Sequence, residues 1–452
     1  MFSHTKSGIH NSVSSVSSVS KTRDASSPAV ENIASAVRAN REYAASIFAE
    51  LRAGSVSGAG VTRDAYGKGE QFAHDLVVRH AMELKLEIAR DAACNTYMTL
   101  PGRDRSLPSV IIGSHLDSVA NGGNYDGAAG VLAGLVAVRA LNRIGFQPAC
   151  DLTVMGVRSE ESVWFEHSYI GSRAALGMLS SLALQALRTD TRKSLEEHMR
   201  LAGGDPNAVR RGESFLQKDR VRAFIEVHIE QAPVLVDAKC SVGIVTGIPG
   251  NFRFPNAKVI GEYGHVGLNR RFRHDAVLAA AELALQLDMT WAEWDRIGRP
   301  MAFTIGRFHT NAKEDALTKV AGECEFSLDV RAYTESDVLE LFEIVRNIIE
   351  KIESKRHVRF DLGKKSRAEA AEVDKRVRRA LEEIARNLNV PFISMGSPAS
   401  HDAAAFSAAG IPIGMIFIRN ENGSHTPEES MEIPDFLDAT AVLACWLQQE
   451  LA

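Results

Sequence analysis

Seven side chains able to hold a divalent cation or move a proton stand in short segments spread along the chain. His115 and Asp117 lie in GSHLDSV, Asp126 in GGNYDGAAG, Glu160 and Glu161 in VRSEES, His228 in EVHIEQ and His425 in NGSHTPEE. Imidazole and carboxylate without thiolate make a donor set for zinc, manganese or cobalt, not for an iron–sulfur cluster or a cysteine-built structural zinc. The five cysteines, Cys94, Cys150, Cys240, Cys324 and Cys445, are far apart and form no CxxC pair. They read as free thiols of a reducing compartment. GGNYDGAAG has neither the lysine of a phosphate loop nor the spacing of a dinucleotide fingerprint. Singly, each segment is weak, because most strand-end histidines are structural and an adjacent Glu pair is usually solvated.

Placement joins them. Val110–His115 (VIIGSH), Leu152–Val157 (LTVMGV) and Ala223–His228 (AFIEVH) are nearly continuous apolar runs, as expected of strands buried on both faces. Acids and imidazoles fall at or just beyond the carboxyl ends of these strands, where an open α/β sheet places its site. A Gly/Ala-rich helix is expected from Gly127 to about Arg143, between the first two strands. From about residue 247 to 363 the order becomes β-α-β-β-α-β. A strand in NFRFPNAKVIGEYG leads to a helix from Arg273 to Asp288 or beyond, then strands near MAFTIGRF and GECEFSLDVRAY. A second helix (Ser336–Ile352) and the strand HVRFDL close that unit. The earlier rhythm returns with a helix at Val373–Asn387 and strands in PFISM and IPIGMIFI. The expected organisation is a Ser-rich extension (1–30), an α/β domain in two parts (31–246 and 364–452) and an α+β domain inserted between them (247–363).

At 452 residues the chain can bury more than one core, and 45% hydrophobic with 24% charged residues excludes a disordered polymer. No apolar run is long enough to span a bilayer. A net charge of −5 offers nothing to neutralise a phosphate backbone. The expectation is a cytoplasmic protein without nucleic-acid or membrane partners. The SVSSVSSVS segment reads as a disordered extension, with a transit peptide as the competing reading.

In that order, GSHLDSV, GGNYDGAAGV, SEES, HIEQ and SHTPEE resemble the dinuclear-metal amidohydrolases of the hydantoinase/carbamoylase type. That group includes allantoate amidohydrolases, N-carbamoyl-L-amino-acid hydrolases and β-ureidopropionases, and is related to metal-dependent aminoacylases and carboxypeptidases. The resemblance implies a zinc-peptidase-like catalytic domain, a mixed sheet with helices on both faces, carrying an inserted α+β lid through which two copies form a homodimer. It implies two divalent ions (Zn, Mn or Co) bridged by Asp126, with His115 and His228 on one and Glu161 and His425 on the other. Glu160 would be the general base, and Asp117 would orient His115. Gln231 would meet the substrate amide or ureido group, Arg331 in SLDVR its carboxylate, and His265 in GEYGHVG, reaching a partner subunit's site, the developing oxyanion.

The implied activity is hydrolysis of a linear C–N bond, foremost in an N-carbamoyl or related N-substituted amino acid. The alternative is an aminoacylase or dipeptidase-like hydrolysis of an N-acyl conjugate. A non-catalytic protein on this fold would be expected to have lost a ligand or Glu160, and none is lost. The sequence departs from the family pattern around substrate. HVGLNRRFRHD replaces HxGxTPM, Thr318 stands for an asparagine, and Phe252-Arg253-Phe254 for a polar strand. Pro398-Ala399-Ser400-His401-Asp402 replaces Gly-Ala-Gly-His-Asp. These changes point away from allantoate and toward a bulkier or more apolar substrate. Trp291, Trp294 and Phe272 are expected to pack around the lid helix or against a second copy, and Arg270, Arg271 and Arg273 to lie on the lid surface. Ser194–Leu201, with Glu196, Glu197 and His198, is expected to be a solvated helix.

Overall fold

The computed structural model describes residues 28–452. Of the Ser-rich extension, residues 1–27 lie outside the described residues, and Pro28–Val30 open a helix, Pro28–Arg38. Two sheets organise the rest. The larger has eight strands in the spatial order Phe392–Met395, Val242–Val245, Ile413–Ile418, Val221–Ile229, Ser109–His115, Leu152–Val157, Thr96–Leu100 and Glu87–Arg90. Its centre is parallel: Ser109–His115 pairs in parallel with both Leu152–Val157 and Val221–Ile229, and the latter with Ile413–Ile418. Antiparallel neighbours flank that centre on both sides.

The apolar runs have a two-sided explanation. Val110 and Ile112 face one core while Ile111 faces another, and Ala223, Ile225 and Val227 alternate with Phe224 in the same way. Helix Ala128–Arg143 is apolar almost all round because it is covered on both sides. It lies on the central strands and beneath Pro28–Arg38 and Ile433–Glu450. On the opposite face, Phe406 stacks on Phe224 at 3.7 Å between ring centroids. Among the described residues no helix is long and apolar enough to cross a membrane.

The second sheet is antiparallel, ordered Met301–Thr304, Glu323–Ala332, Gly250–Ile260 and Arg359–Asp361, with Ser366–Ala368 also pairing with Gly250–Ile260. Helices Ala276–Arg296 and Glu335–Arg356 cover one face and enclose a separate core containing Phe252, Phe254, Leu283, Phe326 and Leu341. This is the expected α+β insertion. A bulge between Phe254 and Ala257 shifts the buried positions from 252 and 254 to 257 and 259, which keeps both halves of the strand facing that core. The two chain crossings between the sheets pair with each other, Gly247–Ile248 against Ala371–Glu372.

Two local expectations change. The helix Leu195–Leu201 is not simply solvated. His198 is buried edge-on against Phe165 and bonds Thr191 Oγ1 at 2.8 Å, while Ser194 and Glu197 form a capping box. Phe252 and Phe254 point into the lid's own core, so their replacement of polar residues does not reshape a substrate pocket. Trp294 is buried, Trp291 packs edge-on to Phe303, and Phe272 is exposed. No disulfide joins the cysteines, and four of the five are buried.

Candidate metal centre

The strand Ser109–His115 ends on His115, and Val221–Ile229 delivers His228 beside it. Asp126 arrives from the turn before helix Ala128–Arg143. Gly127 is indispensable in that turn: its φ is +66°, and a Cβ there would lie 2.4 Å from the His115 ring. His115 Nε2, His228 Nε2 and Asp126 Oδ1 converge, with separations of 3.3, 3.3 and 3.2 Å. Each imidazole turns Nδ1 toward a backbone carbonyl, His115 to Asp117 O (3.1 Å) and His228 to Ile229 O (2.9 Å). That arrangement puts the ring proton on Nδ1 and aims the Nε2 lone pairs inward. The N–H of Gly127 accordingly points at His228 Nε2, 3.2 Å away.

Asp126 Oδ1 is buried and has no hydrogen bond. Lone pairs facing a bare carboxylate oxygen at this range repel unless a cation lies between them, so the donor set fits a divalent ion. Burial opposes charge on both imidazoles, yet Asp117 and Asp126 at His115, and Asp126 at His228, hold their pKa values above the ordinary range, so the acids favour positive charge at this point, carried by a second ring proton where no cation is held.

The other oxygen of Asp126 faces a second group. Oδ2 lies 3.5 Å from His425 Nε2, which is 3.0 Å from Glu161 Oε1. Asp126, Glu161 and His425 thus form a second set of candidate ligands, with Asp126 common to both. His425 is half-exposed while the rest are buried. Gln231 Nε2 donates to Asp126 Oδ2 at 2.8 Å, and Ser424 Oγ bonds the same oxygen. A third grouping, Glu226, His228 and His401, is less open to a cation. Glu226 accepts from Ser114 Oγ (3.1 Å) and Ala403 N (2.8 Å), and His401 Nε2 bonds Ser397 Oγ (3.0 Å).

Glu160 and Glu161 follow Leu152–Val157, in a loop pinned by Asp117. Its two carboxylate oxygens accept the amide N–H groups of Glu160 (3.0 Å) and Glu161 (3.1 Å). Asp117 Oδ1 is also 3.5 Å from His115 Nδ1, so one buried carboxylate serves both sides of the centre. Ser159 is held at φ +51° by Glu70, which accepts its N–H at 2.8 Å and pairs with the buried Arg158 at the same distance. The Glu160 side chain is half-buried beside Glu161, Asp402 and Asp117. Loss of water, reinforced by those acids against the pull of His115, raises its pKa well above the usual carboxylate range.

Gln231 therefore sits within the cluster, whereas the two lid residues do not. Arg331 shares Asp329 with Arg253 on the strand opposite, Nη2 at 3.1 Å and Nε at 2.8 Å, and leans 3.5 Å from Pro398 O. His265 is exposed on the lid in a short pair with Lys319, its Nδ1 accepting from Gly267 N. Between the Tyr169–Arg173 segment and the lid strand carrying Asn251 and Arg253 lies a cavity of about 490 Å³, with Ser400 in its wall. Tyr169 donates its amide to Glu160 O at 3.1 Å, so the cavity adjoins the Glu160 loop.

Arg63 and Glu429 belong to this site and stand in none of the ligand roles read from sequence. Arg63, fully buried, donates to the carbonyls of Leu116, Asn124 and Asp126. Glu429 accepts the amides of Tyr125 and Asp126. Glu429 could have been noticed as the acid closing SHTPEE. Nothing in VTRDAYG marks Arg63.

Residues 111–449 match peptidase family M20/M25/M40. The chain belongs to that family. It is similar to an N-carbamoyl-L-amino acid amidohydrolase of Geobacillus stearothermophilus, 33% identical over 372 residues, covering 82% of this chain and 88% of the relative. A ureidoglycolate hydrolase of Oryza sativa subsp. japonica is 33% identical over 390 residues, covering 85% and 79%. Among solved structures, a hydantoinase/carbamoylase family amidase from Burkholderia ambifaria superposes with a TM-score of 0.79 at 26% identity, covering 91% of this chain and 98% of that one. The resemblance seen in the motifs holds, and the chain is a hydrolase of the amidohydrolase kind.

Proposed function

We propose that this protein hydrolyses the linear ureido or amide C–N bond of an N-carbamoyl or related N-substituted amino acid, using two divalent ions of the Zn, Mn or Co class. The observation that carries the reading is Asp126, whose Oδ1 faces His115 and His228 while Oδ2 faces His425, with Glu161 beyond and Glu160 alongside. The names of the two relatives, an N-carbamoyl-L-amino acid amidohydrolase and a ureidoglycolate hydrolase, support the bond type. When bound, such ions polarise a carbonyl and lower the pKa of a water.

The chain's own residues supply the rest. Glu160, half-buried and free of side-chain hydrogen bonds among the described residues, takes the water's proton on a carboxylate oxygen and passes it to the leaving nitrogen. Burial, with the neighbouring acids, raises its pKa above the ordinary carboxylate range, which makes it a stronger proton acceptor than a solvated glutamate. Asp117 keeps Glu160 and Glu161 in register through their two amides. Arg331 binds the substrate carboxylate through a planar fork, oriented by Asp329. Gln231 presents its amide to the ureido group from its place on Asp126.

His265 lies apart from the cluster, so its oxyanion role calls for the partner copy of a homodimer built on the lid. Leu278, Leu285 and Met289, on one stripe of helix Ala276–Arg296 and 48, 65 and 65% exposed, support such an interface. Ammonia release from N-carbamoyl-L-amino acids, against amine release from N-acyl conjugates, tests the activity and separates it from an aminoacylase.

A further inference from the structure

Asp126 is gripped from two directions by groups that touch no candidate cation position. From beneath, the Arg63 guanidinium spreads its donors over three carbonyls: Nε to Leu116 O (2.8 Å), Nη1 to Asn124 O (3.4 Å) and Nη2 to Asp126 O (3.1 Å). Its backbone is tied to the same loop, its N–H donating to Ser118 Oγ and its carbonyl accepting from Ser118 N, both at 2.9 Å. From above, Glu429 Oε1 accepts the amides of Tyr125 (2.8 Å) and Asp126 (3.3 Å). The hydroxyl of Ser424 lies between Glu429 Oε2 (3.1 Å) and Asp126 Oδ2, linking the loop that carries His425 to the turn that carries Asp126. The peptide groups on both sides of Asp126 are therefore fixed, and the His425 loop is tethered through one buried carboxylate.

Burying an arginine is costly unless its donors and charge are matched. Here the matching groups are the backbone of the centre's loops and the carboxylates Glu429, Asp126, Asp117 and Glu161. The fork geometry is specific to arginine. A lysine carries the same charge on a single point and cannot span three carbonyls. Glu429 differs in kind: its shape holds the amides of Tyr125 and Asp126, and a carboxylate there, unlike an amide, also adds to the negative potential that a cation would meet.

We propose that Arg63 and Glu429 are positioning residues that set the divalent-metal affinity of the centre, Arg63 by geometry and Glu429 by geometry and charge. Neither touches substrate or a reacting atom. The inference rests on Asp126 being a metal ligand, as the proposed function requires.

The test titrates Mn²⁺ and, separately, Zn²⁺ into the metal-stripped full-length protein, its Arg63→Lys, Glu429→Gln and Ser424→Ala variants, with calorimetry reporting affinity and stoichiometry. Thermal unfolding of the stripped proteins is measured beside it. Arg63→Lys keeps the charge and removes the fork, while Glu429→Gln keeps the shape and removes the charge. Each is expected to weaken metal binding about tenfold or more, the size of effect that outer partners of metal ligands have. Ser424→Ala is expected to weaken the ion on the His425 side selectively. Should Arg63→Lys fail to fold, the other two variants carry the test. Affinities within twofold of the parent in the folded variants would overturn the inference, since a purely structural role lowers melting temperature alone. Failure of the parent itself to bind either ion would overturn the metal reading beneath it.

Discussion

Glu160 and Glu161 are neighbours in sequence and opposites in surroundings. Glu161 meets His425 at 3.0 Å, whereas Glu160 turns aside into a half-buried position where water loss and nearby acids raise its pKa. Glu160→Gln is therefore expected to lower kcat by about 10²–10⁴, with metal content unchanged by elemental analysis. Glu161→Gln is expected to lose metal instead, and the contrast separates base from ligand. The sequence marks both as candidates because a divalent ion of the Zn, Mn or Co class takes imidazole and carboxylate, and strand ends supply them; the division into base and ligand came from the family resemblance alone. Arg63 was illegible for the converse reason. It acts through backbone carbonyls more than fifty residues away, and a carbonyl leaves no trace in residue identity.

The elements that carry these residues are built around close approaches. Helix Ala128–Arg143 begins at Gly127, which passes so near His115 that no side chain fits, and Gly130 lies where a Cβ would be 2.0 Å from Val227 O. Gly127→Ala combines a positive φ with that clash. It is expected to destabilise the protein by at least about 1 kcal/mol in urea unfolding and to weaken divalent-ion binding. Ser159, Gln231 and His425 also adopt positive φ, so the loops around the centre carry backbone strain that the surrounding hydrogen bonds hold in place. The central strands were evident from sequence because burial on both faces leaves an unbroken apolar run. The strand Val242–Val245, second from the sheet's edge, and the bulge beyond Phe254 were not, since pairing direction and register depend on partners distant in the chain. The Ser194–Leu201 segment misled for a related reason. Its polar residues are a cap, surface ion pairs and one buried histidine, not a uniformly wetted face.

At the scale of the molecule, the lid has its own sheet and core and meets the larger sheet at the paired crossings and at Arg331 and Tyr333, whose hydroxyl donates to Ser397 O. A homodimer through the lid predicts twice the chain mass by light scattering, and Leu285→Glu with Met289→Glu should shift it to the monomer. Packing predicts thiol reactivity as well. Burial pushes the Cys324 and Cys445 thiols up to about 11 and about 12, so little thiolate forms at pH 8. A thiol reagent should find one fast equivalent, the partly exposed Cys240, in the native protein and five after unfolding. The apolar-substrate expectation lost part of its basis when Phe252 and Phe254 proved to be lid core. Glu160 and divalent ions at Asp126 are expected to hydrolyse an N-carbamoyl bond together. The most direct measurement is ammonia release from a panel of N-carbamoyl-L-amino acids by the metal-reconstituted enzyme, the chelated enzyme and Glu160→Gln. Release is expected from the first alone, restored to the chelated enzyme by adding back a divalent ion. Release that survives both chelation and Glu160→Gln, or no release from any member of the panel, would contradict that expectation.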